Sequence, residues 1–65
     1  MTGKIKWFDI TKGYGFIKME DREVFFHKSD AKPEDLPHLI EDREVEFDLY
    51  ETRPRCFQAK NITLS

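Results

Sequence analysis

Aromatic rings and lysines alternate at close spacing in a short stretch within the N-terminal third. Because successive side chains of a strand point to opposite faces, a strand here places Tyr14, Phe16 and Lys18 on one face. Ile17 and Met19 then share the other face, where a core would form. Flat rings beside positive charge on an exposed sheet suit base stacking, with lysine binding phosphate. The alternative is that Tyr14 and Phe16 are core residues and Ile17 faces solvent.

A second stretch repeats this spacing of rings. In a strand over residues 23–27, Phe25 and His27 share one face while Val24 and Phe26 share the other. A lone histidine is usually a surface or hydrogen-bonded residue, but this one lies two residues from a phenylalanine. If the two strands are antiparallel neighbours, four rings form one patch: Tyr14, Phe16, Phe25 and His27.

Trp7 lies upstream, in a stretch where lysines alternate with apolar residues. Strict alternation would place Ile5 and Trp7 on the same face. If Ile5 is in the core and Trp7 is exposed, the strand must twist or bulge between them. We expect Trp7 to be exposed, because Lys6 and Trp7 would otherwise be separated from the ring patch. The alternative buries Trp7.

The charge is unevenly distributed along the chain. A formal net charge of −2 argues against general binding to duplex DNA. Positive charge is nevertheless concentrated in the first eighteen residues, where Asp9 is the only acid beside four lysines: Lys4, Lys6, Lys12 and Lys18. Residues 34–51 carry eight acids against one base, Arg43. An anion-binding face should therefore be built mainly from the N-terminal third.

Length and motif content argue against catalysis. A length of 65 residues predicts a single domain, residues 1–65, with little room for an enclosed substrate cavity. No phosphate-binding loop of the Walker type is present. The chain has no zinc-ligand pattern, because its only cysteine, Cys56, is far in sequence from the two histidines, His27 and His38. We expect no enzymatic activity, cofactor, metal or small-molecule substrate.

Cysteine usage and hydropathy indicate the compartment. Cys56 cannot form an intramolecular disulfide, and we expect it to be a packing residue in a strand. The chain has no apolar run resembling a signal peptide or a membrane span. The expectation is a cytoplasmic monomer with no membrane partner.

Five short strands and no long helix predict a small antiparallel barrel, whose closure removes exposed sheet edges. The predicted strands cover residues 3–9, 14–19, 23–27, 44–51 and 56–62. In the fourth strand Val45, Phe47 and Leu49 should point inward, which leaves an acidic outer face. Residues 52–55 should form the turn into the last strand.

Residues 28–42 show no clear period. A single helical turn is expected at about 29–32, after which Pro33 and Pro37 should break the chain. Three apolar residues are expected to fold back on the barrel as a lid: Leu36, Leu39 and Ile40. A short helix that begins near Pro37 is the competing interpretation.

These stretches resemble the cold-shock proteins along the whole chain. The resemblance lies in an opening strand, two ribonucleoprotein motifs and a closing strand: residues 3–8, 12–17, 24–27 and 58–62. It implies an all-β, five-stranded antiparallel OB-type Greek-key barrel. It also implies a protein that binds single-stranded RNA and single-stranded DNA with low sequence specificity, and an RNA chaperone that destabilises RNA secondary structure.

The resemblance implies roles for particular residues. Five rings fall where the family stacks bases: Trp7, Tyr14, Phe16, Phe25 and His27. Lys6 and Lys12 fall where the family binds the nucleic-acid backbone. Arg55 and Gln58 match positions beside the bound strand.

Several residues depart from the family pattern. Lys28 stands where the family often has another aromatic residue, and Leu36 lies near the position of a loop phenylalanine. Cys56-Phe57 replaces a common Gly-Pro, and Asp9 replaces a usual asparagine. These departures predict fewer stacking rings than in a family member with the full set. At residue 28 the positive charge of Lys28 takes the place of a ring. Binding should be weaker and more salt-dependent than in a relative with all the rings.

Two other functions remain open at this point. An OB barrel with an acidic strand and an exposed aromatic patch could bind a protein partner. A ribosome-associated OB module is the second alternative.

Overall fold

Alternating apolar and polar side chains build five strands that close into a barrel in the order β1-β2-β3-β5-β4. The computed structural model describes residues 1–54 and 56–64. The strands are β1 Thr2–Asp9, β2 Tyr14–Lys18, β3 Glu23–His27, β4 Glu44–Arg53 and β5 Cys56–Leu64. The predicted all-β, five-stranded OB-type barrel is confirmed. One pair differs from an all-antiparallel sheet, because β3 and β5 run parallel.

The last two strands are longer than predicted. β4 continues to Arg53, so Thr52 and Arg53 belong to the strand and not to the predicted turn. β5 runs two residues beyond the predicted end, to Leu64. The side chain of Cys56, at the start of β5, is exposed, so its prediction as a packing residue was wrong. Within the described residues, no helix combines the length and apolar character needed to cross a membrane.

The core contains the residues that alternation placed on the inner faces. Ile17, Val24 and Phe26 are completely buried, whereas Tyr14 and Phe16 are only partly buried on the outside. The alternative that made Tyr14 and Phe16 core residues is therefore wrong. The buried set is Ile5, Ile17, Val24, Phe26, Leu39, Val45, Phe47, Ala59 and Ile62.

A bulge in β1 decides the placement of Trp7. Ile5 pairs with Ile17 of β2, but the next pair joins Trp7 to Phe16, so β1 has one extra residue between the two pairs. Ile5 is consequently 0% exposed and Trp7 is 38% exposed. This confirms the expectation of an exposed Trp7. Phe8 then turns inward, and its ring stacks on that of Phe26 at a centroid distance of 5.3 Å.

Two 3-10 helices, Lys28–Asp30 and Pro33–His38, connect β3 to β4. The predicted turn at about 29–32 lies close to the first. The prediction that Pro33 and Pro37 break the segment was wrong, because both lie within the second helix. Pro33 is at its start, where a missing N–H costs little. The competing interpretation, a short helix that begins near Pro37, is wrong because the helix begins four residues earlier, at Pro33.

The lid prediction holds for two of its three residues. Leu39 is 3% exposed and belongs to the core, and Leu36 packs against that core while partly buried. Ile40 is 61% exposed, so the prediction that it folds back on the barrel as part of the lid was wrong. After Ile40 the chain is hydrogen-bonded to β1, because the Asp42 backbone N–H donates to Ile5 O at 2.8 Å.

Candidate nucleic-acid interface

Strand register brings the predicted rings together on the outer face of β1, β2 and β3. Phe16 lies between Trp7 on one neighbouring strand and Phe25 on the other, and Tyr14 lies opposite His27. The Trp7 ring centroid is 5.4 Å from those of both Tyr14 and Phe16. The Phe25 centroid is 5.9 Å from the same two rings. We call Trp7, Tyr14, Phe16, Phe25 and His27 the aromatic surface.

The rings of the aromatic surface are tilted against one another. Trp7 makes interplanar angles of 70° with Tyr14 and 55° with Phe16, and Phe25 makes 71° with Phe16. Tilted and edge-to-face pairs are favourable arrangements of aromatic rings, and these contacts hold the four rings in place. The surface therefore consists of separate small platforms, on which successive flat ligands would be splayed apart.

A tight loop sets the position of Lys12 and the start of β2. The Asp9 carboxylate Oδ1 accepts hydrogen bonds from the backbone N–H groups of Thr11 and Lys12 at 2.9 and 3.1 Å. An asparagine carbonyl oxygen could accept the same bonds, so the Asp9 departure keeps the turn chemistry. Gly13 closes the loop with a φ of 82°, a left-handed conformation that favours glycine.

His27 is fixed by its role as the cap of the first 3-10 helix. Its Nδ1 accepts a hydrogen bond from the backbone N–H of Ser29 at 3.2 Å. The ring proton of the neutral imidazole therefore lies on Nε2, since the accepting nitrogen must have a free lone pair. The His27 backbone N–H donates to Asp30 Oδ2 at 2.9 Å and completes a capping box. These contacts hold the imidazole at the edge of the aromatic surface.

The three predicted lysines differ in their surroundings. Lys6 Nζ forms an ion pair with Glu23 at 2.6 Å, and both side chains are nearly half exposed. Lys28 lies beside the loop that contains Lys12, because its backbone N–H donates to Gly13 O at 2.9 Å. Its aliphatic chain passes close to Gly13, and within the described residues neither Lys12 nor Lys28 forms an ion pair.

Gln58 lies on β5 opposite Phe25 of β3, beside the aromatic surface. Its side-chain Nε2 donates a hydrogen bond to Asp30 Oδ2 at 3.0 Å. Arg55, the remaining predicted site residue, lies outside the described residues. Phe57 packs against the core, and the Arg22 guanidinium covers its ring at 4.6 Å. Phe57 therefore adds no platform to the aromatic surface.

Three residues beside the site were missed by the sequence reasoning. Asp30 stands three residues after His27, which is the capping-box spacing and could have been recognised. Tyr50, which is 47% exposed and lies opposite Gln58, follows from the alternation of β4. The sequence did not indicate that Glu23 pairs with Lys6, because the two residues lie on β3 and β1, with β2 between them.

Comparisons with known proteins identify similar sequences. The family model described as the 'Cold-shock' DNA-binding domain matches residues 1–65. The chain is 46% identical to the cold shock-like protein CspB of Bacillus cereus over 63 residues, which cover 95% of each chain. It is 50% identical to a cold shock-like protein of Thermotoga maritima over 52 residues, 78% of this chain and 79% of the relative. The cold shock-like protein CspI of Escherichia coli is 47% identical over 49 residues, 72% and 70% of the two chains.

Proposed function

This chain belongs to the cold-shock domain family, a family of nucleic-acid-binding proteins and not of enzymes. From that premise we propose that it binds single-stranded RNA and DNA by stacking bases on the aromatic surface. The observation that carries the proposal is the contact network of four rings, Trp7, Tyr14, Phe16 and Phe25, on one outer face.

Stacking supplies most of the affinity in this mechanism. A base stacked on an aromatic side chain contributes about 1–3 kcal/mol, and every base has a face that can stack. Because stacking does not depend on which base is bound, sequence specificity is low. The tilt between the rings favours an unpaired strand whose bases are splayed apart.

The lysines bind the phosphates that connect the stacked bases. Lys12 directly precedes Gly13, whose carbonyl oxygen accepts from the Lys28 backbone N–H, and Lys6 lies next to Trp7 on β1. Lys28 contributes charge where relatives of the family often have a ring, so phosphate contacts carry more of the affinity. Arg55 stays a prediction from the family resemblance.

Binding to unpaired bases competes with base pairing. Each protein molecule bound to a single strand lowers the free energy of the open RNA, so weak hairpins melt without ATP. We infer that the protein acts as an RNA chaperone in the cytoplasm and as a monomer. Melting of a weakly paired RNA hairpin labelled with a fluorophore and a quencher, followed while protein is added, tests the chaperone activity.

The single tryptophan provides the direct test of stacking. Titration with a short oligothymidine or an unstructured RNA at low salt should quench Trp7 fluorescence to saturation. Acrylamide quenching of the free protein provides the control for the exposure of Trp7. An exposed Trp7 whose emission does not change with either ligand would contradict the stacking mechanism.

A further inference from the structure

One row of paired residues crosses the barrel from β1 to β4. Trp7 pairs with Phe16, Phe16 pairs with Phe25, and Phe25 pairs with Gln58. Gln58 in turn pairs with Tyr50 of β4. Side chains at paired positions of neighbouring strands point to the same face, so Tyr50 lies on the outer face that carries the aromatic surface. The row therefore has a ring at four of its five positions and ends on Tyr50.

Tyr50 lies where the acidic face of β4 ends. The ring is 47% exposed, and the outward residue before it on the strand is Asp48. Asp48 lies opposite Lys60 of β5, and its Oδ2 accepts a hydrogen bond from Asn61 Nδ2 at 2.9 Å. Glu51, which follows Tyr50, points to the opposite side of the strand by alternation. The carboxylate closest to the ring on its own face is thus already next to a cation and a donor.

Lys60 contacts the Tyr50 ring from one side. Its Nζ lies over the ring, 5.8 Å from the ring centroid, within the range of a cation–π contact. Lys60 is exposed, and it forms no ion pair within the part of the chain that the structure describes. The exposed part of the Tyr50 ring is therefore a flat surface beside a free positive charge. This combination suits a stacked base with a phosphate beside it.

Tyr50 is too far from Phe25 to share a base with it. The two residues lie on strands separated by β5, so their backbones are two strand spacings apart, roughly 10 Å. Within the aromatic surface, by contrast, Phe25 and Phe16 have their ring centroids 5.9 Å apart. Tyr50 is therefore a separate platform, which only a strand that extends beyond the aromatic surface can reach.

We propose that Tyr50 is a further base-stacking residue, which extends the binding surface around the barrel to β4 for longer single strands. A short strand fills the aromatic surface. The nucleotides that follow cross β5, and one of them stacks on Tyr50 with its phosphate beside Lys60. The inference rests on the proposed function, because a strand bound on Phe25 is what brings the next nucleotides to Tyr50.

The test compares Tyr50→Ala with the wild type on oligothymidines of two lengths. A length of about four nucleotides is covered by the aromatic surface, and about ten extend past it, within the range that one OB barrel binds. Trp7 fluorescence measures both affinities, because Trp7 lies at the other end of the row. Tyr50→Ala should bind the short oligomer like the wild type and the long one at least about fivefold more weakly. No loss on the long oligomer, or an equal loss on both, overturns the inference and leaves the proposed function standing.

Tyr50→Phe and Ile40→Ala are matched controls. Tyr50→Phe keeps the ring and removes the hydroxyl group, so it should bind both oligomers like the wild type. Ile40→Ala removes apolar surface that is 61% exposed and lies outside the row, and it should also change neither affinity. If either control loses as much affinity for the long oligomer as Tyr50→Ala does, stacking on the Tyr50 ring is not the cause, and the inference is overturned.

An abasic scan identifies the base that stacks on Tyr50. Thymidines near each end of the long oligomer are replaced one at a time by an abasic linker. One of these replacements should weaken wild-type binding about fivefold and should have no effect on Tyr50→Ala. Equal losses in the two proteins at every position overturn the inference.

Thermal unfolding of each variant sets a temperature at which it is folded. If Tyr50→Ala does not fold, Tyr50→Thr takes its place, because threonine suits a strand and has no ring. Failure of the wild type to bind either oligomer overturns the proposed function and this inference together.

Discussion

Lys6 Nζ lies 2.6 Å from Glu23 Oε2, so the lysine nearest to Trp7 is already paired with a carboxylate. Both side chains are nearly half exposed, and an exposed ion pair of this kind contributes at most about 1 kcal/mol to stability. A phosphate that binds Lys6 must therefore displace the Glu23 carboxylate or share Lys6 with it. We therefore expect Glu23 to oppose nucleic-acid binding at Lys6, while its ion pair adds little to the stability of the fold.

Replacement of Glu23 by glutamine should raise the affinity for a single strand. The loss of the competing carboxylate frees Lys6, and the gain should be up to about fivefold at low salt, the equivalent of about 1 kcal/mol. Trp7 fluorescence titration measures it. Glu46→Gln is the matched control, because Glu46 is exposed on β4 and makes the same change in net charge. An equal gain in both variants would show that net charge, and not Lys6, is responsible.

The neighbours Phe25 and Phe26 should give opposite results when each is changed to alanine. Phe26 is fully buried, so Phe26→Ala should destabilise the fold by about 3–5 kcal/mol. Phe25 lies on the outer face, so Phe25→Ala should weaken oligothymidine binding by about 1–3 kcal/mol and leave a folded protein. Circular dichroism melts and fluorescence titrations measure the two quantities. If Phe25→Ala unfolds the chain, its ring belongs to the core.

Lys28 replaced by phenylalanine should change the salt dependence of binding. Each phosphate contact on a single strand contributes about −0.7 to the slope of log affinity against log salt concentration. Lys28→Phe should make this slope less steep by about that amount and should add a stacking ring. Lys32→Phe is the control, because it removes the same charge at an exposed position outside the aromatic surface. An unchanged slope in Lys28→Phe would remove Lys28 from the phosphate contacts.

Gly15 should not tolerate a side chain. A Cβ at this position would lie 2.4 Å from the Trp7 carbonyl oxygen and 2.8 Å from the Phe8 Cα, both backbone atoms beside the bulge. Gly15→Ala should therefore cost about 3 kcal/mol of unfolding free energy, as overpacking does. Gly13→Asn should cost only about 1 kcal/mol, because asparagine accepts the left-handed φ of 82°. Urea unfolding compares the two variants, and equal losses would contradict this account of the bulge.

Much of the barrel and most of the site follow from residue alternation. The period of two separated Ile17, Val24 and Phe26 from the rings on the opposite faces, and all three are buried. The equal spacing of rings in β2 and β3 indicated one patch before any register was known. Alternation is local, because it depends only on the geometry of an extended chain, and so the sequence determined it.

Other features depend on contacts between distant residues. Strict alternation would have placed Ile5 and Trp7 on one face, and only the register of β1 against β2 introduced the bulge that separates them. Pro33 and Pro37 predicted breaks, yet one 3-10 helix contains both and ends at its C-cap Leu39, which is buried in the core.

The contacts that adjust the site required the closed barrel. Lys6 meets Glu23 across β2, and Asp30 meets Gln58 because β3 runs parallel to β5. The sequence by itself determined which side chains face outward and which types of group they offer. The tertiary structure decided which of those groups are neighbours, because strand register and barrel closure bring together residues that no local pattern relates.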